Sequence, residues 1–425
     1  MDDTIFALSS GAPPAAIGII RISGPHAHAS LKALTDREIP YRKPVLARLI
    51  NPQGDLLDEA LVLSFDGPNT ATGEDLVELH CHGGRAVIAA VETALGRMEG
   101  LRRAEAGEFT RRAFANNRLD LAEAEGLGDL LAAETELQRA SAIRMADGNV
   151  SRETHKWRLE ILRLSAMVEA ALDFSDEDDV NELPSDFATA VAALRSKLAD
   201  WLKRPQAEVL RDGFRVVLAG PPNSGKSTLF NRLVASEAAI TSPIPGTTRD
   251  IIARSVAIEG VPFTFIDTAG LRAESSDPIE LIGIERAHAE LERAGLVLWL
   301  GEEGQGPEGS LEIAARADIP AMERKSGGAI AVSAVTGDGI PKLTNRLLET
   351  AQSALPRAGE VAINARQRVC IARAYDALQR IEMTDDPLLI GEELRMARSA
   401  FDDLLGRTGT EDMLDTLFGR FCIGK

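Results

Sequence analysis

The stretch GPPNSGKST, residues 220–228, holds two glycines, a lysine and adjacent hydroxyls at the spacing G-x-x-x-x-G-K-[ST]. These residue types at this spacing suit a nucleotide phosphate. Gly220 and Gly225 let backbone N–H groups curl around an anion, with Asn223 and Ser224 in the turn between them. Lys226 reaches the β- and γ-phosphates, and the Ser227 hydroxyl, followed by Thr228, binds Mg²⁺. Two later stretches extend the same chemistry. TSPIPGTTRD (241–250) is a polar loop carrying Ser242, Pro243, Ile244, Pro245, Gly246 and the threonines Thr247 and Thr248, which suits a sensor of γ-phosphate and Mg²⁺. VPFTFIDTAG (261–270) reads as a strand ending in Asp267, Thr268, Ala269 and Gly270. Asp267 is then the outer Mg²⁺ carboxylate, and the Gly270 N–H meets the γ-phosphate. Three such motifs in this order mark a GTPase-type switch.

Two parts of that switch depart from the usual pattern. Leu271 follows DTAG where small signalling GTPases place a water-orienting Gln, so another group must serve. Glu280 in DPIELIGIERA is the candidate, the alternative being a solvated helix carboxylate. A base-recognition N-K-x-D, whose Asp accepts from guanine N1 and N2, is absent after strand GLVLWL (295–300). MERKSGG (322–328) stands nearest to it, with Lys325 for the lysine but Arg324 and Gly327 for Asn and Asp. Ser333 and Ala334 further on suit guanine O6. The expectation is weakened guanine selectivity.

Phosphate chemistry requires a strand before the loop and a helix after it, because the helix N-terminus supplies positive potential. FRVVLAG (214–220) reads as that buried strand, and an apolar helical pattern follows Thr228. Strands and helices alternate to about residue 350, the habit of an α/β domain. Before it, Trp157, Ile161, Leu164, Val168 and Leu172 recur on one helix face. After it, Leu394, Ala397, Phe401 and Leu405 make a second stripe. Thr410 reads as an N-cap with Glu411 and Asp412 in the first turn, and Leu414, Leu417, Phe418 and Phe421 form the face of a closing helix. Short β-like runs with Gly and Pro turns (AIGIIRIS, DEALVLSF, EDLVELHCH) make the first part α+β. The fold class is therefore multidomain α+β. The expected domains are 1–117 (N-terminal α+β), 118–210 (helical, first part), 211–353 (an inserted α/β P-loop domain) and 354–425 (helical, second part, with the tail FCIGK).

Composition narrows the class. The chain has 425 residues, 44% of them apolar, and no apolar run near the roughly 18 residues of a membrane span. Asp2 and Asp3 stand where a secretory signal needs positive charge, which points to the cytoplasm. Cys81, Cys370 and Cys422 are scattered and odd in number, giving neither a disulfide framework nor a zinc cluster. A net charge of -18 argues against nucleic-acid binding by the general surface, so any such contact needs a local basic patch. Arg102, Arg103, Arg111, Arg112, Arg366, Arg368 and Arg373 are candidates for it. The acidic run DFSDEDDVNE (173–182) reads as a solvated loop rather than a metal site. FCIGK outlines a prenylation box, but Lys425 lies outside the usual last residues, Gly424 is not aliphatic, and no polybasic run precedes it.

Over nearly its whole length the chain resembles the bacterial tRNA-modification GTPases of the MnmE (TrmE) family. The resemblance rests on IGIIRISG (17–24), TGEDLVELHCHGG (72–84), GEFTRRAFANNRLDLAEAE (107–125), GPPNSGKST, PGTTRD, DTAGLR, IGIERA, DDLLGR and FCIGK. It implies an N-terminal domain that binds a reduced folate (5,10-methylene or 5-formyl tetrahydrofolate) and makes a homodimer. It implies an FAD-containing partner, MnmG (GidA), with which the complex installs an aminomethyl or carboxymethylaminomethyl group at C5 of the wobble uridine of tRNA. Position by position, Arg21, Glu78, Arg118 and Lys425 match folate contacts. Asn223, Ser242, Ile244 and Thr247 match K⁺ ligands, Ser227 and Thr248 match Mg²⁺ ligands, and Glu280 matches the water-orienting glutamate. Cys422 matches a nucleophile or proton carrier, with a positioning thiol as the alternative. The competing function is a nucleotide-switched scaffold without tRNA chemistry; a one-carbon site would be idle in it.

Overall fold

The computed structural model describes residues 3–35, 37–173, 183–235, 252–267, 289–319, 325, 328–356, 360–408 and 411–424. Ser242, Pro243, Ile244, Pro245, Gly246, Thr247, Thr248, Thr268, Ala269, Gly270, Glu280, Thr410 and Lys425 lie outside them, as do residues 174–182 of the acidic run. The chain divides into two compact units, residues 1–128 with 402–425, and residues 129–401.

The first unit is built on six strands: β1 (Thr4–Leu8), β2 (Ile17–Ser23), β3 (Val45–Ile50), β4 (Leu56–Phe65), β5 (Leu76–His82) and β6 (Leu101–Arg103). Their order is β3-β4-β5-β2-β1-β6, with only β1 and β6 running parallel. Alternation decides the faces. On β4, Asp58, Ala60, Val62 and Ser64 are buried, while Leu56, Glu59 and Leu61 are exposed. Helices α1 (Ala27–Leu34) and α2 (Arg85–Leu95) supply Leu31, Leu34, Val91 and Leu95 to a core with Phe6, Ile20, Ile22, Val62 and Leu79. Helix α3 (Glu108–Ala115) brings Phe109 against Ile5, Ala7 and Ala104 in a separate cluster. Leu121 and Ala124 of α4 (Leu121–Ala132) pack with Leu414, Phe418 and Phe421 around the closing helix α13 (Glu411–Phe418).

In the second unit, α5 (Glu136–Ala146) opens with a capping box between Thr135 and Gln138. Helix α6 (Asn149–Asp173) buries Trp157, Ile161, Leu164 and Val168 as the spacing predicts. At the end of that stripe Ala171 is buried and Leu172 only half so. Trp157 meets Trp201 of α7 (Phe187–Leu202) edge-on at 5.2 Å and Phe401 of α12 (Pro387–Leu404) at 5.7 Å. Helix α8 (Ala207–Asp212) leads into a second six-stranded sheet. It comprises β7 (Phe214–Ala219), β8 (Ile252–Ile258), β9 (Val261–Asp267), β10 (Leu296–Trp299), β11 (Leu311–Ala315) and β12 (Ile330–Val332). The order is β12-β11-β10-β7-β9-β8, parallel apart from the edge strand β8. Helices α9 (Lys226–Ala235) and α10 (Ile340–Ala354) cover it with Leu229, Phe230, Leu343 and Leu347. Helix α11 (Ala365–Ile381) opens with a second capping box, Asn364 with Gln367.

Candidate functional site

Strand β7 has β9 on one side and β10 on the other. Its C-terminal end is therefore the point where the winding reverses, the usual ligand position of an open parallel sheet. The loop of residues 220–225 sits there, between β7 and α9. Gly220 has φ 147, and a Cβ on it would lie 3.0 Å from the Gly301 N, so only glycine lets the chain turn this close to β10. Asn223 is in the left-handed region at φ 59. Lys226 is 6% exposed, and its ammonium donates to the carbonyls of Gly220 (3.0 Å) and Pro221 (2.7 Å). Ser224 Oγ is buried and has no hydrogen-bond partner among the described residues. A curled loop at a helix N-terminus, with a buried ammonium and an unsatisfied hydroxyl, fits a phosphate chain. Asp267 ends β9 at 1% exposure, and Ser227 stands in the first turn of α9, a hydroxyl and a carboxylate of the kind that hold Mg²⁺.

The same edge carries a second polar loop, after β11. Strand β11 lies between β10 and β12, and residues 316–318 follow it directly. The Asp318 carboxylate is held below its usual range, first by a hydrogen bond from the Ser333 hydroxyl. Ser333, wholly buried just past β12, also takes the Thr336 N–H on Oγ at 3.1 Å. Arg316 (φ 59) donates through Nη2 to the Asn223 carbonyl at 2.7 Å, tying this loop to the phosphate loop. These placements bear on the expectation for MERKSGG. Lys325 is 10% exposed and is committed to the Trp299 carbonyl (3.0 Å) and the Glu312 carboxylate, while residues 322–324 lie outside the described part. The stretch Ala315-Arg316-Ala317-Asp318, at the end of β11 and directly after it, is a second candidate for the N-K-x-D position, with the acid but not the Asn. The missed signal was LEIAARAD, a β-like run ending in a basic residue and an Asp two positions later.

In the first unit, Arg21 and Glu78 are cross-strand partners on β2 and β5. Arg21 donates from Nε (3.1 Å) and Nη2 (2.7 Å) to Glu78 Oε1, and its guanidinium lies 5.9 Å from the Phe109 ring centre. His80 Nε2 stands 3.4 Å from Glu78 Oε2, a neighbour sequence reasoning did not single out. Arg118 is exposed beside Gly73, and its backbone N–H bonds the Ala113 carbonyl. The tail runs back onto this sheet. Ile423 bridges Ala106, and a Cβ on Gly424 (φ 93) would lie 2.1 Å from the Leu8 carbonyl oxygen. Ala7, next to Leu8, pairs with Arg21. The tail and the Arg21–Glu78 pair thus lie within one strand of each other. Cys422 is exposed; Cys81 is buried, with its thiol pushed up to about 12 by burial and then by Asp58.

The expected basic patch does not survive as drawn. Arg112 is fully buried among Asp3, Glu74 and Glu108. Arg102 pairs with Asp3 and Glu108, Arg103 with Glu92, and Arg111 with Glu411 and Asp415. Arg368 donates to the carbonyls of Leu202 and Arg204. Arg366 and Arg373 also have partners. Carboxylates thus pair with four of the seven, Arg102, Arg103, Arg111 and Arg112.

Two family profiles match, the GTP-binding protein TrmE N-terminus over residues 4–118 and the MnmE helical domain over residues 121–422. The "tRNA modification GTPase MnmE" of Novosphingobium aromaticivorans is 59% identical, covering 100% of both chains. The protein of the same name from Erythrobacter litoralis is 60% identical, again over 100% of both. Among solved structures, Era in complex with MgGDPNP and 16S ribosomal RNA nucleotides is 18% identical. It covers 49% of this chain and 89% of that one with a TM-score of 0.26, too low to bear on function.

Proposed function

The chain belongs to the tRNA modification GTPase MnmE family, and we propose that it is the GTP-hydrolysing subunit of a wobble-uridine C5 modification complex. One observation carries the GTPase part. Lys226, Asp267 and the Asp318–Ser333 pair stand at the C-terminal ends of parallel strands of one sheet. Loop N–H groups and Lys226 hold the phosphates, Ser227 and Asp267 hold Mg²⁺, and Asp318 accepts from guanine N1 and N2. Mg²⁺ would offset charge on the phosphate oxygens. Asn223, with Ser242, Ile244 and Thr247, is proposed to hold K⁺, Thr248 to complete the Mg²⁺ set, and Glu280 to orient water. Turnover is then faster in K⁺ than in Na⁺; equal rates would remove the K⁺ site.

Arg21, Glu78, Arg118 and Lys425 are proposed to bind the reduced folate that donates the one-carbon unit. The donor set suits that ligand: Glu78 would accept pterin N–H groups, and cationic side chains would pair with its carboxylates. The remaining proposals are the four-part domain division, a homodimer, the FAD-dependent partner MnmG (GidA), a cytoplasmic location and a catalytic or positioning Cys422. Among the described residues no helix is long and apolar enough to cross a membrane. The test is mass spectrometry of tRNA nucleosides from a deletion strain. Loss of the C5 group at wobble uridine is expected; an unchanged nucleoside profile would leave the nucleotide-switched scaffold.

A further inference from the structure

We infer that His28, Asp66 and Asp75 of the first unit form a binding site for a first-row divalent transition-metal ion. The fold builds the cluster from element ends. Phe65 and Leu76 are cross-strand partners, so Asp66, just past β4, and Asp75, just before β5, are set side by side. His28, in the first turn of α1, lies over them. Its Nε2 is 2.9 Å from Asp66 Oδ1 and 3.6 Å from Asp75 Oδ2, and the three donor atoms lie within 4.8 Å of one another. Such spacings suit three donors that share one ion at about 2.0–2.2 Å.

Two further observations separate this cluster from a chance ion pair. His28 Nδ1 stands 3.1 Å from the Oγ of Ser64, which is 6% exposed, so the ring is anchored on the side away from the carboxylates. That anchor at the second ring nitrogen is what metal-bound histidines carry. The Nε2 atom is itself buried and has no hydrogen-bond partner among the described residues, although Asp66 Oδ1 is close. The carboxylate therefore stands off the N–H line, which an imidazolium–carboxylate bond would not. Asp75 is oriented too, because its Oδ1 takes the Gly67 N–H at 3.0 Å and leaves Oδ2 for the cluster.

One imidazole, two carboxylates and no thiolate suit Mn²⁺, Fe²⁺, Co²⁺, Ni²⁺ or Zn²⁺ rather than the all-oxygen preference of Mg²⁺ or Ca²⁺. Asp66 and Asp75 are 61% and 37% exposed, so water completes the coordination. A bound ion would clamp α1 to both ends of the loop of residues 66–75. That loop carries Thr72, 2.7 Å from Ser23, and Glu74, 3.2 Å from Arg112.

The test uses untagged, chelator-stripped, nucleotide-free full-length protein in a Cys422→Ser background, with Zn²⁺ as the probe. Bound metal is counted by equilibrium dialysis and elemental analysis, beside thermal unfolding. The site predicts one Zn²⁺ per chain at micromolar free metal and a raised Tm. Asp66→Asn and Asp75→Asn each lose that ion and the Tm gain while keeping the metal-free Tm. Asp66 is exposed, and the amide oxygen introduced by Asp75→Asn can still accept the Gly67 N–H, so both variants fold. No stoichiometric zinc, or equal zinc in the parent and both variants, overturns the inference.

Discussion

Asp318→Asn isolates the base-recognition geometry. Asp318 is exposed, so the change costs little stability, and Asn can still accept the Ser333 hydroxyl that holds the carboxylate now. A carboxylate accepts both guanine N1–H and the exocyclic amine. An amide presents one acceptor and one donor, and so matches xanthine, which carries a carbonyl oxygen where guanine has the amine. One good bidentate pair is worth about 1–3 kcal/mol. At 1.4 kcal/mol per tenfold, GTP affinity falls roughly 5- to 150-fold and XTP affinity rises by a similar factor. Competition of GTP, XTP and ATP against a fluorescent guanine nucleotide measures both directions at once. An unchanged GTP-to-XTP ratio in Asp318→Asn would refute the assignment. Loss of guanine preference in Lys325→Ala would return recognition to MERKSGG.

Removing the bond from Arg316 to the Asn223 carbonyl frees the base loop from the phosphate loop. Arg316→Ala should therefore raise the dissociation rates of GDP and GTP together, by about tenfold for a charge-assisted bond of about 1.5 kcal/mol, without changing the GTP-to-XTP ratio in stopped-flow release. Arg112→Leu leaves Asp3, Glu74 and Glu108 facing a lost cation, and should cost about 3–5 kcal/mol in urea unfolding followed in the first unit. Burial raises the Glu108 carboxyl, but bonds from Arg102, the Glu105 N–H and Arg112 hold it lower overall than 4.5. A carboxylate depressed on folding gives stability that is complete above its unfolded pKa and lost as pH falls through the folded value. Acid unfolding of the parent should steepen below about pH 4.5, and Glu108→Gln should flatten that limb of a Tm-against-pH curve. Gly424→Val cannot keep the tail on Leu8, so tRNA modification should fall while GTP hydrolysis stays, read by nucleoside mass spectrometry beside phosphate release.

What the sequence revealed follows the range of the interactions. The phosphate loop was legible because strand, loop and helix are contiguous, and each residue's role is set by neighbours within nine positions. The α6 stripe was legible for the same reason, drifting to Ala171 only in its last turn. The base loop was missed because Ala315 and Arg316 replace the two residues that usually announce it. Only the placement of β11 between β10 and β12 brings Asp318 forward as a candidate for that position. The basic patch failed on long-range pairing: Arg111 meets Asp415 304 positions away, and Arg112 meets Asp3 109 positions away. Composition counts such charges but does not pair them.

The tail shows how placement narrows a chemical choice that composition left open. Among the described residues Cys422 is the exposed thiol, whereas Cys370 is buried and Cys81 is buried and held protonated. An exposed thiol on a free tail would be reactive but unplaced. Here Phe421 is buried in the cluster before the thiol, and the bridge from Ile423 to Ala106 and the contact of Gly424 with Leu8 fix the chain after it, next to the strand that carries Arg21. Cys422, Ile423 and Gly424 are thus held beside β1, the strand that pairs with β2, by backbone packing, whatever the sulfur does. Positioning and chemistry then become separable: Cys422→Ser keeps the packing and changes only the atom, and Gly424→Val keeps the atom and removes the packing.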